Sequence, residues 1–282
     1  MRTRSQRKPR PLHIGHARIH GHRIRYAVRE GDPARPPLLL LNGIGANIEL
    51  AHPFIDALDG PTFITYDVPG VGGSPTPPSP YRPSTIARLT AELLEHLGYC
   101  EADVLGVSWG GAIAQQFAFQ HRSHCRRLVL AATSAGAFMV PAQPSVLLKM
   151  ATPRRYVDRA HAMKVAGDIY GGVFRTNPDA VINELKHVRF SSRGGYYLQL
   201  AAAFGWTSLP WLWTLRQPTL IMAGADDPLI PLANAQMMQW LIPDARLEIL
   251  DCGHLFLVTR AEESARIVES FLAEPAGTRR KQ

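Results

Sequence analysis

Gly106-Val107-Ser108-Trp109-Gly110 spells G-x-S-x-G, and its neighbours decide how it is read. Ala102-Asp103-Val104-Leu105 before it is β-prone, and Gly111 to Phe117 after it reads as a helix opening in small residues. At a strand, sharp turn and helix, a serine is held above the sheet with its hydroxyl turned outward. Glycine suits both ends of the motif, because a side chain at either place would crowd the corner. The pentapeptide alone also fits a glycine-rich turn with a bystander serine, so its meaning depends on the rest of the chain.

Working outward, Leu38-Leu39-Leu40-Leu41 is apolar on both sides, as a buried strand should be. Thr62 to Tyr66, Leu128 to Ala132, Pro218 to Ala223 and Arg246 to Leu250 are further strands. Ala17 to Arg29 alternates about His20-Gly21-His22 and predicts an antiparallel hairpin. Phe54 to Leu58 suggests a short helix. Ile86, Leu89, Leu93, Leu94 and Leu97 recur at helical spacing, with Ser84 as N-cap and Gly98 as the stop. Thr259 with Glu262 has the form of a capping box for a last helix through Leu272. Strands alternating with helices imply an α/β fold, a mostly parallel sheet covered on both faces.

The rhythm is lost between Ser134 and Gln217, where Pro141, Pro144 and Pro153 interrupt an aromatic-rich segment. Residues 134–217 therefore read as an inserted helical cap, and 17–133 with 218–273 as the core. Residues 1–16 read as a basic, flexible arm and 274–282 as a flexible basic tail. With 282 residues, 46% of them hydrophobic, the chain suits one α/β domain carrying an insertion. Much of the net charge of +8 sits at the two ends, and no recognisable nucleic-acid module lines up with it. The loop Asp67 to Ser74 is glycine-rich, but a proline-rich stretch follows it rather than G-K-[ST] and a helix, which argues against nucleotide binding. Cys100, Cys125 and Cys252 are odd in number and lack C-x-x-C spacing, so they read as buried free thiols in a reducing compartment. Met1 to Arg10 has no apolar core after it and no run approaches a bilayer span; a soluble cytoplasmic protein is the expectation.

A serine hydroxyl is a poor nucleophile unless a base takes its proton and an acid holds that base. His254, in Gly253-His254-Leu255-Phe256 directly after the last strand, is the candidate base among 11 histidines. Asp226 and Asp227, directly after the preceding strand, are the candidate acids. Asp103 and Asp251 fit less well, since Asp103 lies at the wrong end of its strand. The backbone N–H of Trp109 and that of Ile44, in the glycine-rich loop Asn42 to Asn47, would stabilise an oxyanion.

With these residues placed, the chain resembles α/β-hydrolase fold enzymes over nearly its whole length. That resemblance implies an eight-stranded, mostly parallel sheet with helices on both faces and an inserted helical cap. The order Ser108, Asp227, His254 is the order of that superfamily. Asp227 is preferred to Asp226 because its spacing to Gly224 and Pro231 is similar to the family's. Segments 41–47, 67–74, 106–112 and 226–231 look like those of intracellular depolymerases of medium-chain-length poly(3-hydroxyalkanoates). So do Tyr170-Gly171-Gly172, Gly205-Trp206-Thr207-Ser208 and Gly253-His254-Leu255-Phe256-Leu257. The resemblance fails in the first dozen residues and the last ten. It implies a polyester substrate on cytoplasmic granules, an acyl-enzyme on Ser108, and no metal or organic cofactor. Asn42 stands where relatives commonly carry His, which argues against a catalytic part for it. Asn42, Trp206 and Phe256 are candidate substrate contacts. The alternatives are an esterase acting on small soluble apolar esters, and a non-enzymatic granule-binding protein on the same fold. The intact Ser108, Asp227 and His254 argue against the second.

Overall fold

The computed structural model describes residues 10–180, 182 and 192–275. Eight strands form one sheet: β1 (His13–Ile19), β2 (His22–Arg29), β3 (Leu38–Leu41), β4 (Phe63–Tyr66), β5 (Ala102–Val107), β6 (Cys125–Ala131), β7 (Thr219–Gly224) and β8 (Ala245–Leu250). Their spatial order is β1-β2-β4-β3-β5-β6-β7-β8. β2 runs antiparallel to β1 and β4, and every other pairing is parallel.

Helices follow as α1 (His52–Ala57), α2 (Pro83–His96), α3 (Trp109–Gln120), α4 (Pro144–Met150), α5 (Arg154–Val157), α6 (Arg159–Tyr170), α7 (Val173–Thr176), α8 (Arg193–Ala203), α9 (Leu232–Leu241), α10 (Phe256–Thr259) and α11 (Ala261–Leu272). Successive strand residues face opposite sides of a sheet. Leu39, Val104, Leu128 and Ile221 accordingly pack with Leu89 and Leu93 of α2 and Ile113 and Phe117 of α3. Leu38, Leu105, Val129 and Leu220 pack on the other face with Phe54 and Ile55 of α1 and Val268 and Phe271 of α11. With a helix layer on each face, β3 and the inner stretches of β5 and β7 are apolar on both sides rather than alternating.

Several local expectations change. Ser84 is not the N-cap of α2: the helix starts at Pro83 after Arg82, and proline's fixed φ suits that first position. Thr259 belongs to α10, and its hydroxyl donates to the Leu255 carbonyl, so no capping box forms; Glu262 and Glu263 still place negative charge in the first turn of α11. Residues 13–16, read as part of a flexible arm, lie in β1 and pair with β2. Glu274, read as the start of a flexible tail, is tied down: its carbonyl accepts from Arg127 and its carboxylate from Arg246. Residues 1–9 and 276–282 lie outside the described residues. Cys125 and Cys252 are buried, but Cys100 is exposed.

Between β6 and β7 the chain leaves the sheet and forms α4 to α8. Val146, Val165, Ile169 and Phe174 make a small core of their own that also takes in Leu229 from the loop after β7. The side chain of Asn234 in α9 bonds both the N–H and the carbonyl of Val140, fastening the start of this segment to the main body. The loops that leave β3, β5, β7 and β8 at their carboxyl ends meet beneath it, where open α/β sheets build their sites.

Candidate active site

Ser108 follows β5 directly, at φ 53° and ψ −119°, a region non-glycine residues avoid at a cost of order 1–3 kcal/mol. The surroundings over-determine it. Its N–H donates to the Ala131 carbonyl at 2.9 Å, and its carbonyl accepts from Gly111 N–H at 2.9 Å and Thr133 Oγ1 at 2.6 Å. A Cβ on Gly106 would strike the Gly110 carbonyl, and one on Gly110 would strike that of Leu41. The flanking glycines are thus what allow α3 to start this close to β3 and β5.

His254 and Asp227 are carried by the loops after β8 and β7. Nδ1 of His254 donates to Asp227 Oδ2 at 2.7 Å, with both side chains almost wholly buried. Asp227 Oδ1 accepts from the N–H groups of Leu229 and Ile230, each at 2.9 Å, which locks the carboxylate's orientation. Its neighbour Asp226 points elsewhere, binding Arg175 through both oxygens and the Gly172 N–H. The Arg175 guanidinium, assisted by Gly172, holds the Asp226 carboxyl below the usual range. Asp103, in β5, is paired with Arg126.

Ser108 and His254 line one cavity, walled mainly by apolar side chains such as Phe54, Val107, Leu229 and Leu257. The loop after β3 passes beside Ser108: a Cβ on Gly43 would lie 3.5 Å from Ser108 Cβ and 3.9 Å from its Oγ. The Ile44 N–H has no acceptor among the described residues, and the Trp109 N–H, at the first position of α3, has no intrahelical one. The geometry therefore offers an alcohol, an imidazole held by a carboxylate, and two free amides near one point. Buried Asp67 steadies the chain just past that loop, accepting from Ile48 N–H, Gly73 N–H and Arg25, which also pairs with Glu49.

Besides the Arg175 and Gly172 contacts to Asp226, the insertion reaches the loops of the site through Tyr170, Tyr156 and Gln199. The Tyr170 carbonyl accepts from the backbone N–H of His254 at 2.7 Å, and Gly253 has no room for a side chain against that carbonyl. Tyr156 O–H donates to the Ile44 carbonyl at 2.8 Å. Gln199 Oε1 accepts from Gly45 N–H at 2.7 Å. Gly45 sits at φ 72°, and a side chain there would meet the Tyr156 ring.

The alpha/beta hydrolase fold family matches residues 36–261. The chain belongs to that family. A poly(3-hydroxyalkanoate) depolymerase of Ectopseudomonas oleovorans is 52% identical to this hydrolase over 267 residues, 94% of each chain. A pimeloyl-[acyl-carrier protein] methyl ester esterase of Aromatoleum aromaticum is 30% identical, over 83% of this chain and 97% of its own. Among solved structures, the enol-lactonase from Burkholderia xenovorans LB400 superposes with a TM-score of 0.80 at 22% identity, over 92% of this chain and all of its own.

The remaining sequence candidates divide. Asn42 lines the cavity, with its side-chain amide donating to the Asn47 carbonyl. Phe256 does not: it is 1% exposed in the core under α11, while Leu255, Leu257 and Val258 reach the cavity instead. Trp206 is also absent from the cavity wall; its indole N–H binds Gln116 and its ring meets Trp211. Rather than contacting substrate, the Trp206 ring seats the insertion on α3. Arg155, Tyr156, Tyr170 and Gln199 were missed as site residues. Tyr170 had a signal in the Tyr-Gly-Gly segment, whereas Arg155 and Tyr156 sit in a charged stretch that resembles any solvated helix.

Proposed function

We propose that this chain is a serine ester hydrolase that cleaves the main-chain esters of medium-chain-length poly(3-hydroxyalkanoate), releasing 3-hydroxy acids or oligomers. The observation that carries the reaction type is the His254–Asp227 pair opening onto the same cavity as Ser108. The substrate class is supported by the 52% identity to a poly(3-hydroxyalkanoate) depolymerase across 94% of both chains.

In this reading Ser108 Oγ attacks the ester carbonyl while His254 Nε2 takes its proton. Asp227 keeps the proton on Nδ1 and stabilises the imidazolium. The N–H groups of Trp109 and Ile44 receive the oxyanion, each donor being worth about 10²–10³ in rate. His254 then protonates the leaving alkoxide, and water attacks the acyl-enzyme by the same relay. The apolar wall suits alkyl side chains of the monomer.

Association with a polyester granule is the finer part of the proposal. Phe138 and Phe204 are 86% and 91% exposed and flank one strand-like bridge, Gly136 with Thr207. They offer the insertion an apolar face for a water-insoluble surface. Among the described residues no helix is long and apolar enough to cross a membrane.

The experiment is release of 3-hydroxyoctanoate and its oligomers from emulsified polymer, run beside labelling by a fluorophosphonate probe. Labelling of the native protein but not of Ser108→Ala, together with product release, is expected. Labelling and short-ester hydrolysis without polymer cleavage would move the substrate to small soluble esters. No labelling at all would leave a binding protein.

A further inference from the structure

Among the described residues lining the cavity at Ser108, Arg155 is the only permanent cation, and it is 3% exposed. All its hydrogen-bond partners are neutral. Nε donates to the Tyr170 hydroxyl at 3.0 Å, Nη1 to the Tyr196 hydroxyl at 2.8 Å and the Thr152 carbonyl at 3.2 Å, and Nη2 to the Tyr156 hydroxyl at 3.3 Å. The guanidinium also lies over the Tyr156 and Tyr196 rings, 4.4 and 5.3 Å from their centroids. No carboxylate among the described residues forms an ion pair with it. Burial opposes the charge, yet the surrounding tyrosine oxygens keep the group protonated. A buried cation without a counter-ion is costly unless something supplies the missing negative charge.

The cage also leaves donors over. Tyr196 passes its proton to the Met150 carbonyl and Tyr156 passes its own to the Ile44 carbonyl. The Tyr170 O–H has no acceptor among the described residues, and one N–H of Arg155 Nη2 is likewise unused. Tyr170 lines the cavity and its ring stacks on that of His254, centroids 6.4 Å apart and 19° from parallel. Two spare donors and a positive charge thus sit beside the proposed base, which is the equipment for seating a carboxylate.

We propose that Arg155 and the Tyr170 hydroxyl form a carboxylate subsite that holds the free carboxyl end of the polyester or of an oligomer. This rests on the function proposed above. In a 3-hydroxyalkanoate chain the carboxyl end lies on the alcohol side of the last ester. Seating it there presents that ester to Ser108. The Ser108 Oγ–carbonyl carbon bond forms and the ester C–O bond breaks. His254 delivers the serine's proton to the departing alkoxide, so the terminal unit leaves as a 3-hydroxy acid still held by Arg155. The remaining chain stays on Ser108 until water releases it. The protein so equipped works inward from carboxyl ends.

The test compares kcat/KM of the wild-type protein on a 3-hydroxyoctanoate dimer or trimer with that on the methyl ester of the same oligomer. The expected preference for the free acid is about 10–100-fold, carried mostly by KM, from the strength of a charge-assisted hydrogen bond. Arg155→Gln should bring the ratio to about one. In wild type, 3-hydroxyoctanoate should inhibit competitively while its methyl ester does not, a readout that stands even if the variant fails to fold. Equal rates on acid and ester in wild type, with no product inhibition, would overturn the subsite and leave Arg155 a scaffold for the tyrosines, with the ester hydrolase intact. Failure to cleave either oligomer would overturn the hydrolase reading and the subsite with it.

Discussion

Two adjacent carboxylates after β7 have opposite assignments, and the difference is only which way each side chain turns. Asp227 is fixed by two backbone amides and given to His254; Asp226 is given to Arg175 and Gly172. Asp227→Asn should therefore lower kcat about 10⁴-fold through the wrong imidazole tautomer. Asp226→Asn, which removes a half-exposed ion pair, should stay within about fivefold of wild type. Steady-state kinetics on a soluble ester separates the two. A second residue-level contrast lies in the thiols. Burial pushes the Cys252 thiol up to about 12 although it sits two residues from His254, while Cys100 is exposed. Thiolates are the reactive form. Iodoacetamide at mildly alkaline pH should modify Cys100 and spare Cys252, as peptide mapping would report. The positions of Ser108, His254 and the Asp226/Asp227 pair were legible because strand ends and turn glycines leave a pattern in the chain. Which way Asp226 turns depends on Arg175, more than fifty positions upstream, and no local pattern carries that.

The elements tell a similar story. β3, β5, β6 and β7 declare themselves by apolar stretches, Leu38 to Leu41, Val104 to Val107, Leu128 to Ala131 and Leu220 to Gly224, since burial on both faces favours apolar residues there; Asp103 and Arg126, near the strand starts, pair with each other. The ends of helices were less legible, because α2 begins at Pro83 with Arg82 rather than a serine at its N-cap, and the short α10 has no side-chain cap. The insertion was hardest, because its aromatic rings serve packing and site alike. Gln199 illustrates this: α8 presents its side-chain oxygen to the Gly45 N–H beside the proposed oxyanion amide. Gln199→Leu would leave that N–H unpaired and cost about 1–3 kcal/mol, seen in urea denaturation, with a fall in kcat as the loop loosens. The Arg175–Asp226 pair ties α7 to the loop after β7. Because the folded carboxyl titrates below its ordinary 3.8, its contribution is present above that value and is lost as pH falls through the folded pKa. The protection of the α7 amides, taken relative to their intrinsic exchange rates, should fall across that acidic window, and Arg175→Gln should abolish the step.

For the whole molecule, the sheet and its two helical layers fix where the site is, while the insertion decides what reaches it. If Phe138 and Phe204 meet an insoluble polymer, the double change Phe138→Ser and Phe204→Ser should reduce adsorption to emulsified polymer several-fold. Turnover of a soluble ester should not change, because neither residue lines the cavity. The same division bears on engineering. The backbone N–H of His254 donates to the Tyr170 carbonyl, so roof and proposed proton carrier are mechanically one piece. Exchanging the roof for that of a distant cousin, to redirect what is digested, would deliver a detuned relay unless the graft brought an oxygen to the same spot.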